Sequence, residues 1–432
     1  EGEEGGVELG VSSEFDYLDV HLTLARLAAK AGRKERPARI AVMQLLPLFY
    51  VAAQQASQSG NVVAPEVTPV EWVRQAGTLA QGTDEVVGAA SLWSAATCAW
   101  LCEDQVQSAA SDDCSVDHLL ATAVGQLAGG ATLGEARATA AADTLSLLLP
   151  LVAAPVAALT APSSSAGGAD SLVRRIAALL SSPSASPALV SSLSLALCVM
   201  VEETTEVGRA DVTATVDRER SRQRDLERQA VEGVQRLWEG GADAGDGVGG
   251  APSTDRLSSL AAALSLSDET TTTLRTTLAT LGRETTRDVA KKAKAETRAA
   301  VREARDYLIG VDASGTPSPP PPPTTLRASP SIVLVVYSFA EQHCLATLRR
   351  LVGPELPLLV SSCPLVADLF EHHPGLGEPA HGGRGAGAGA GDAGRVVNDK
   401  SSTVVRTRQR VRQRGRADRA AQKQAALVLG EE

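Results

Sequence analysis

The sequence predicts an all-α protein: an armadillo/HEAT-like helical repeat solenoid, followed by a small C-terminal helical module and an extended basic C-terminal helix. Three observations predict this class. Apolar residues recur at helical spacing from Glu14 to about Val207. Glycine and proline residues interrupt that pattern repeatedly. With 44% hydrophobic and 21% charged residues, the 432-residue chain has enough apolar surface for packed cores, which excludes wholesale disorder.

An acidic N-terminal segment, residues 1–13, precedes the repeat body, which we place at 14–239. Its first helix pair contains GRKERPARIAVMQLL, where Gly32 can end one helix and Pro37 can occupy the first turn of the next. Similar pairs are predicted from Pro65 to about Cys114, from Ser115 to about Pro162 and from Gly168 to Val207. Their spacing of roughly 45 residues is in the range of HEAT and armadillo repeats, whose helix pairs bury apolar faces by stacking on neighbours.

The run LSLLLPLVAAPVAALTA, residues 145–161, is apolar enough to be tested as a membrane span, because no charged residue lies between Asp143 and Asp170. It contains two prolines and is shorter than the ~20 apolar residues that a span requires. The sequence therefore predicts a buried core helix here, and no membrane contact.

The segment after the first helix pairs alternates between charged helices and linkers. Residues 208–239 predict an Arg-rich charged helix, and 240–254 a Gly-rich flexible linker. A helical region at 255–310 follows, in which Ser267 and Asp268 can cap one long helix that runs to about Ile309.

Three further segments complete the chain. Residues 311–330 predict a stiff Pro-rich linker. Residues 331–376 predict a compact C-terminal module, with a short buried strand at IVLVV and then two helices separated by Gly353 and Pro354. A Gly/Ala-rich linker, 377–394, leads to the basic segment 395–432, which is the predicted C-terminal helix.

The basic segment carries the largest local excess of positive charge. Between 395 and 423 there are ten basic and two acidic residues, a net charge of +8 in a chain whose total is −10. Arginine occupies every second position from Arg406 to Arg416, so on a helix these side chains surround the axis. Since only Val411 and alanines could form an apolar stripe there, a helix needs an enclosing polyanion such as RNA to stabilise it. The candidate RNA-binding residues are Arg395, Lys400, Arg406, Arg408, Arg410, Arg412, Arg414, Arg416, Arg419 and Lys423.

Two other interpretations of this basic segment stay open. Short Arg/Lys-rich runs also serve as nuclear localisation signals, and some are solvated tails with no binding role. A second Arg-alternating segment, DRERSRQRDLERQ at 217–229, is nearly neutralised by its own acidic residues and is typical of a solvated helix face.

A second basic cluster lies on the helix that is predicted to end at Ile309. Its candidate RNA-binding residues are Arg283, Arg287, Lys291, Lys292, Lys294, Arg298, Arg302 and Arg305. Four of them, from Arg283 to Lys294, recur every three or four residues and so line one side. Glu284, Asp288, Glu296 and Glu303 are interleaved with them, so a surface helix with i,i+4 ion pairs is the alternative interpretation.

Signals for an enzyme, a cofactor or a metal are poor. The six cysteines are scattered and predict reduced thiols rather than a disulfide framework. Cys98 and Cys102 are i,i+4 neighbours with Cys114 and His118 nearby, but their apolar surroundings favour buried thiols over a zinc site. We expect no enzymatic activity, no cofactor, no bound metal and no small-molecule substrate.

The C-terminal half resembles the interferon-related developmental regulator family. The resemblance lies in the order of four features between 255 and 424: the basic helix TTLATLGRETTRDVAKKAKAETRAAVREARDYLIG, a spacer, the segment LVVYSFAEQHCLATLRRLVGPELPLLVSSCPLVADLFEHHP, and the tail RVVNDKSSTVVRTRQRVRQRGRADRA. The body is similar chiefly around GRKERPARIAVMQLL.

This resemblance implies a ribosome-associated factor that inactivates translation. The repeat body would bind the intersubunit side of the ribosome, contacting ribosomal RNA and ribosomal proteins of both subunits, and the basic C-terminal helix would block the P and E tRNA sites and the mRNA channel. Away from the ribosome the chain would be a cytoplasmic monomer. The alternative that the resemblance implies is a nuclear transcriptional co-regulator whose helical repeats bind corepressor proteins.

Overall fold

A computed structural model describes residues 17–29, 34–58, 67–108, 115–129, 133–160, 168–217, 221, 255–281, 291–310, 324–329, 332–363, 366 and 369–370. This part of the chain is mostly helical, which confirms the predicted all-α class. The first ten helices are α1 (Tyr17–Ala29), α2 (Arg36–Gln58), α3 (Pro69–Ala80), α4 (Glu85–Leu101), α5 (Glu103–Ser108), α6 (Val116–Ala128), α7 (Glu135–Leu148), α8 (Pro155–Thr160), α9 (Gly168–Leu180) and α10 (Pro187–Thr204).

The remaining elements form the C-terminal part of the structure. They are α11 (206–217), α12 (Arg256–Leu264), α13 (Asp268–Leu281), α14 (Lys291–Ile309), β1 (Thr324–Ser329), β2 (Ile332–Val336), α15 (Phe339–Val352) and α16 (Leu356–Ser362). Strands β1 and β2 form an antiparallel hairpin.

The helices pack as pairs placed side by side. Contacts join α1 to α2, α3 to α4, α6 to α7, α9 to α10 and α13 to α14. The second helix of each pair also contacts the second helix of the next, in the order α2, α4, α7, α10 and α14, and we call these five helices the inner row. The first four begin at residues 36, 85, 135 and 187, so the interval is close to 50 residues rather than the predicted 45.

One hydrogen bond recurs between successive inner-row helices. A carboxylate oxygen of Glu85, the first residue of α4, accepts the Ala136 backbone N–H at 3.0 Å. In the same way Glu135, the first residue of α7, accepts the Ser186 N–H at 3.1 Å. Donor and acceptor are 51 residues apart in both cases. Each carboxylate therefore satisfies a backbone donor at the start of the next helix of the row, where an anion is favourable.

Local sequence signals determine where these helices begin. Asp84 accepts hydrogen bonds from the backbone of Val86 and Val87 and so caps α4, and Ser115, Ser186 and Asp255 cap α6, α10 and α12 in the same manner. Pro37 lies in the first turn of α2, as predicted.

The core consists of two large clusters. One joins α6, α7, α9 and α10 to α12, α13 and α14, and the other joins α1–α4 to β2, α15 and α16. The run 145–161 is buried at 145–149 and at Leu159, whereas 153, 154, 157 and 160 are exposed, so the predicted burial is confirmed only in part. It is also not one helix, because it contains the end of α7, a 3-10 turn at Leu149–Leu151, and α8. Pro150 and Pro155 explain the interruption. Helices α2 and α10 are long and apolar enough to span a membrane by composition alone, but both are helices of these cores.

Two sequence predictions are corrected by the C-terminal elements. The predicted single helix from Ser267 to Ile309 is two helices, α13 and α14, that contact each other. The predicted Pro-rich linker 311–330 contains β1, which pairs with the strand predicted at IVLVV. The cap by Ser267 is confirmed, since its hydroxyl accepts the Thr270 N–H at 3.3 Å. The two helices separated by Gly353 and Pro354 are confirmed as well.

The close approach of Glu85 to Gly134 gives a test of the recurring carboxylate bond. A Cβ atom at Gly134 would lie 2.0–2.1 Å from the carboxyl atoms of Glu85. We therefore expect Gly134→Ala to displace Glu85 and to lower the free energy of unfolding by about 1–3 kcal/mol, measured by thermal and urea denaturation.

Gly125→Ala is the matched control. Nothing lies within 4 Å of the added Cβ, and Gly125 is inside α6. Alanine there is expected to raise the free energy of unfolding by about 0.5–1 kcal/mol. Changes of the same sign and size in both variants would contradict the role given to Glu85.

Candidate nucleic-acid interface

Helix α14 is the element that presents predicted RNA-binding residues within the described part of the chain. Val301, Ala304, Tyr307 and Leu308 form its buried face. They follow helical spacing and pack among α10, α12 and α13, which fixes the orientation of the helix. The other sides of α14 therefore have a fixed orientation relative to these three helices.

The basic positions of α14 lie together on one side of this buried face. At ~100° per residue, positions 291, 294, 298, 302 and 305 fall within about 80° of the helix circumference. Positions 296 and 303, which carry glutamate, lie on the opposite flank together with 292. Glu296 and Glu303 thus lie away from the five basic positions, whereas Asp306 lies beside two of them, Arg302 and Arg305.

The described side chains on the basic side differ in exposure. Arg302 is exposed. Arg305 is only 12% exposed and pairs with its neighbour Asp306, so part of its charge is neutralised. For Lys291, Lys292, Lys294 and Arg298 the structure gives the helical backbone position. Outside the described residues lie Arg283, Arg287, Arg395, Lys400, Arg406, Arg408, Arg410, Arg412, Arg414, Arg416, Arg419 and Lys423.

A buried polar junction anchors the C-terminal end of α14. Arg256, at the start of α12, donates to the Tyr307 carbonyl oxygen at 3.0 Å and to Asp211 of α11 at 2.6 Å. Its guanidinium also lies 4.6 Å from the centroid of the Tyr307 ring, as a cation–π contact. The Tyr307 ring in turn lies 4.9 Å from that of Phe339, the first residue of α15. One arginine therefore joins α11, α12 and α14 beside the start of α15.

Glu202, on α10, connects the same region to α15. Its two carboxylate oxygens accept the backbone N–H groups of Phe339 at 2.9 Å and Ala340 at 3.1 Å. These are two of the donors that a helix N-terminus leaves without an intrahelical acceptor. Burial raises the pKa of Glu202 to about 8, while the two hydrogen bonds oppose that rise because they favour the ionised form.

Sequence reasoning did not find Glu202 or Arg256. Glu202 ends the apolar run ALVSSLSLALCVMV, and a carboxylate at that position of a core helix is the only signal in the sequence. Arg256 has no local signal, because its partners are 45 and 51 residues away.

The predicted buried thiols are confirmed for Cys98 and Cys102. Both are buried and neither is in a disulfide, and burial raises the pKa of the Cys98 thiol well above its ordinary value. Within the described ranges, no group of three or more His, Cys, Asp or Glu side chains could hold a metal ion. Cys114, the third cysteine near this pair, lies outside those ranges.

Comparison of the chain with protein-family models, with curated proteins and with solved structures found no match. The resemblance to the interferon-related developmental regulator family therefore stays a prediction from the sequence.

Proposed function

We propose that this chain is a non-enzymatic ribosome-binding factor that inactivates translation. Its body is an armadillo/HEAT-like solenoid, and its basic C-terminal helix blocks the P and E tRNA sites and the mRNA channel. The stacked helix pairs, with inner-row helices beginning about every 50 residues, support the solenoid. The chain is a cytoplasmic monomer when it is not bound to ribosomes.

The observation that carries the proposal is the basic side of α14. Five basic positions share one side of a helix whose opposite flank holds the glutamates, and the buried face between them is packed on the body. An ordinary solvated helix pairs its bases with acids at i,i+4 on the same side. Five basic positions with one acid, Asp306, beside them instead favour contact with an external polyanion.

The aromatic residues indicate which part of the RNA is contacted. In the described structure Trp72, Trp93, Trp100, Tyr50, Tyr307, Tyr337, Phe339 and Phe370 are buried in the cores. No aromatic residue follows Phe370 in the sequence. Stacking on unpaired bases requires exposed rings, so the basic segments would contact phosphates, as expected for base-paired ribosomal RNA bound without regard to sequence.

The linkers suggest how the tail reaches its site while the body binds elsewhere. The Gly/Ala-rich segment 377–394 belongs by composition to the flexible class of linkers. Once the body is bound through α14, such a tether raises the local concentration of the tail at a second RNA site. A helix of about 30 residues reaches ~45 Å, enough to enter a channel.

Charge reversal tests the proposal directly. Arg408, Arg410, Arg412 and Arg414 are replaced by glutamate, and the full chain is sedimented with ribosomes at moderate salt. Loss of co-sedimentation is the expected result, because about four phosphate contacts become repulsive. The control reverses Arg218, Arg220, Arg222 and Arg224, which have the same number and spacing in the segment that its own acids neutralise.

Two outcomes would count against the proposal. Unchanged co-sedimentation of the tail variant would remove the tail from the interface. Equal loss in both variants would show a non-specific effect of net charge. Fractionation of cells distinguishes the co-regulator alternative, in which the chain would associate with chromatin and not with polysomes.

A further inference from the structure

Helix α15 crosses the inner row and contacts its helices in the reverse of their order in the sequence. Its first residues bind Glu202 of α10. One turn later, the His343 imidazole Nε2 lies 3.1 Å from the Asp143 carbonyl oxygen of α7. At its end, Leu351 packs against the small cluster of Ala89 and Trp93 of α4 and Ala140 of α7. Successive residues of α15 thus meet α10, α7 and α4 in turn.

The length of α15 fits this path. The twelve residue steps from Phe339 to Leu351 span ~18 Å at 1.5 Å per residue. Two spacings between packed helices are ~16–20 Å. One helix is therefore just long enough to make contact with three consecutive members of the inner row.

Both ends of the C-terminal module are bound to different parts of the body. The start of α15 lies in the core cluster of α10 and α14, where Phe339 is buried. The rest of the module, including Val336, Leu348, Val360 and Phe370, is buried in the other cluster with α2, α3 and α4. The module consequently bridges the two halves of the helical body.

The two ends of this bridge are held by different chemistry. Near the end of α15, Arg350 lies over the Trp93 ring at 4.9 Å and 3.8 Å from Asp143, beside the apolar contact of Leu351. At the start of α15, Glu202 of α10 accepts two backbone hydrogen bonds, from Phe339 and Ala340. Ser338 satisfies the Glu341 N–H of the same turn, but both of these residues belong to the module itself.

We propose that α15 is a strap that fixes the spacing of α10, α7 and α4, and that Glu202 is the latch that holds its first turn on the row. Stacked helix pairs contact only their neighbours, so small changes in helix spacing at each interface add up along a row. A helix that contacts three members at once opposes such changes.

The test combines hydrogen exchange with a distance measurement on the full chain. Dyes are attached to genetically incorporated azide-bearing residues at Gln44 of α2 and Thr273 of α13, which are exposed. In Glu202→Ala, the amides of Phe339 and Ala340 should exchange about tenfold faster or more, because they lose their acceptors. The distribution of dye-to-dye distances, measured by single-molecule energy transfer, should broaden.

Ser338→Ala is the matched control, since it removes a cap inside the first turn of α15 and leaves the bond to α10 in place. It should speed exchange at Glu341 without broadening the distances. If Glu202→Ala does not fold, Glu202→Gln, which keeps one acceptor oxygen, should give smaller changes in the same direction.

Two other outcomes of this test would overturn the proposal. Unchanged exchange at Phe339 and Ala340 would show that Glu202 is not a latch. Faster exchange with an unchanged distance distribution would show that α15 does not fix the row. RNA binding is not a readout in this test, so it is independent of the ribosome proposal.

Discussion

Raising the salt concentration from 50 to 200 mM is expected to weaken the binding of the full chain to a base-paired RNA about 10³- to 10⁴-fold. The reason is counterion release: contacts to ~6–8 phosphates give a slope of about −5 to −7 in log K against log salt. The measurement is fluorescence anisotropy with a labelled RNA hairpin over this salt range. Since the chain would bind phosphates without stacking bases, a single strand of the same length should bind more weakly and with a shallower slope.

Neutral variants assign this slope to the tail. Changing Arg408, Arg410, Arg412 and Arg414 to alanine should make the slope about 3–4 units shallower. The same change at Arg218, Arg220, Arg222 and Arg224 should leave it unaltered, because that segment is nearly neutral. A slope whose magnitude is below about 2 for the unmodified chain would be incompatible with binding through many duplex phosphates. A preference for the single strand would be incompatible with it as well.

Replacing Arg256 by alanine is expected to lower the free energy of unfolding by about 3–5 kcal/mol. The substitution leaves Asp211 without its partner and removes the donor to the buried Tyr307 carbonyl oxygen. It also removes the cation that lies over the Tyr307 ring. Urea denaturation followed by circular dichroism measures the change, and proteolysis should show cleavage first around α11, α12 or α14, which Arg256 joins.

Arg275→Ala serves as the control for this variant. Arg275 also pairs with an aspartate, Asp255, but both side chains are more than 40% exposed. A surface pair of this kind contributes about 0–1 kcal/mol. If the two arginine variants lose similar stability, burial of the Arg256 junction is not what makes it important.

The local structure of the helix pairs was predictable from the sequence. Pro37 lies in the first turn of α2 and Ser267 caps α13, both as expected, while Gly32 lies outside the described residues. The position of the strand IVLVV and the break at Gly353 and Pro354 also follow from the residues themselves. These features depend on interactions within a few residues, where backbone preference and capping dominate.

Two predictions were wrong because a neighbouring element decided the outcome. The helical periodicity from 268 to 309 is nearly continuous, yet α13 and α14 contact each other, which the two halves of one straight helix could not do. Strand β1 has the sequence TTLRAS next to a Pro-rich stretch, and it is a strand because it pairs with β2.

The basic helix shows the same division between local and tertiary information. The sequence contains both acids and bases there, which by itself favours a paired surface helix over a polyanion-binding helix. Burial of Val301, Ala304 and Leu308 decides which side of α14 faces the body. Only that orientation places positions 291, 294, 298, 302 and 305 on one side of the buried face, and positions 292, 296 and 303 on the other.

By itself, the sequence determined the helical class, the helix starts and the two segments of concentrated positive charge, because spacing, caps and net charge are properties of neighbouring residues. The tertiary structure alone decided that Glu202 binds the first turn of α15 and that α15 crosses the inner row. Glu202 and Phe339 are 137 residues apart, and Asp143 and His343 are 200 apart. The residues around a carboxylate do not indicate which distant helix end it binds. Only the packing of the helices between them could bring the two together.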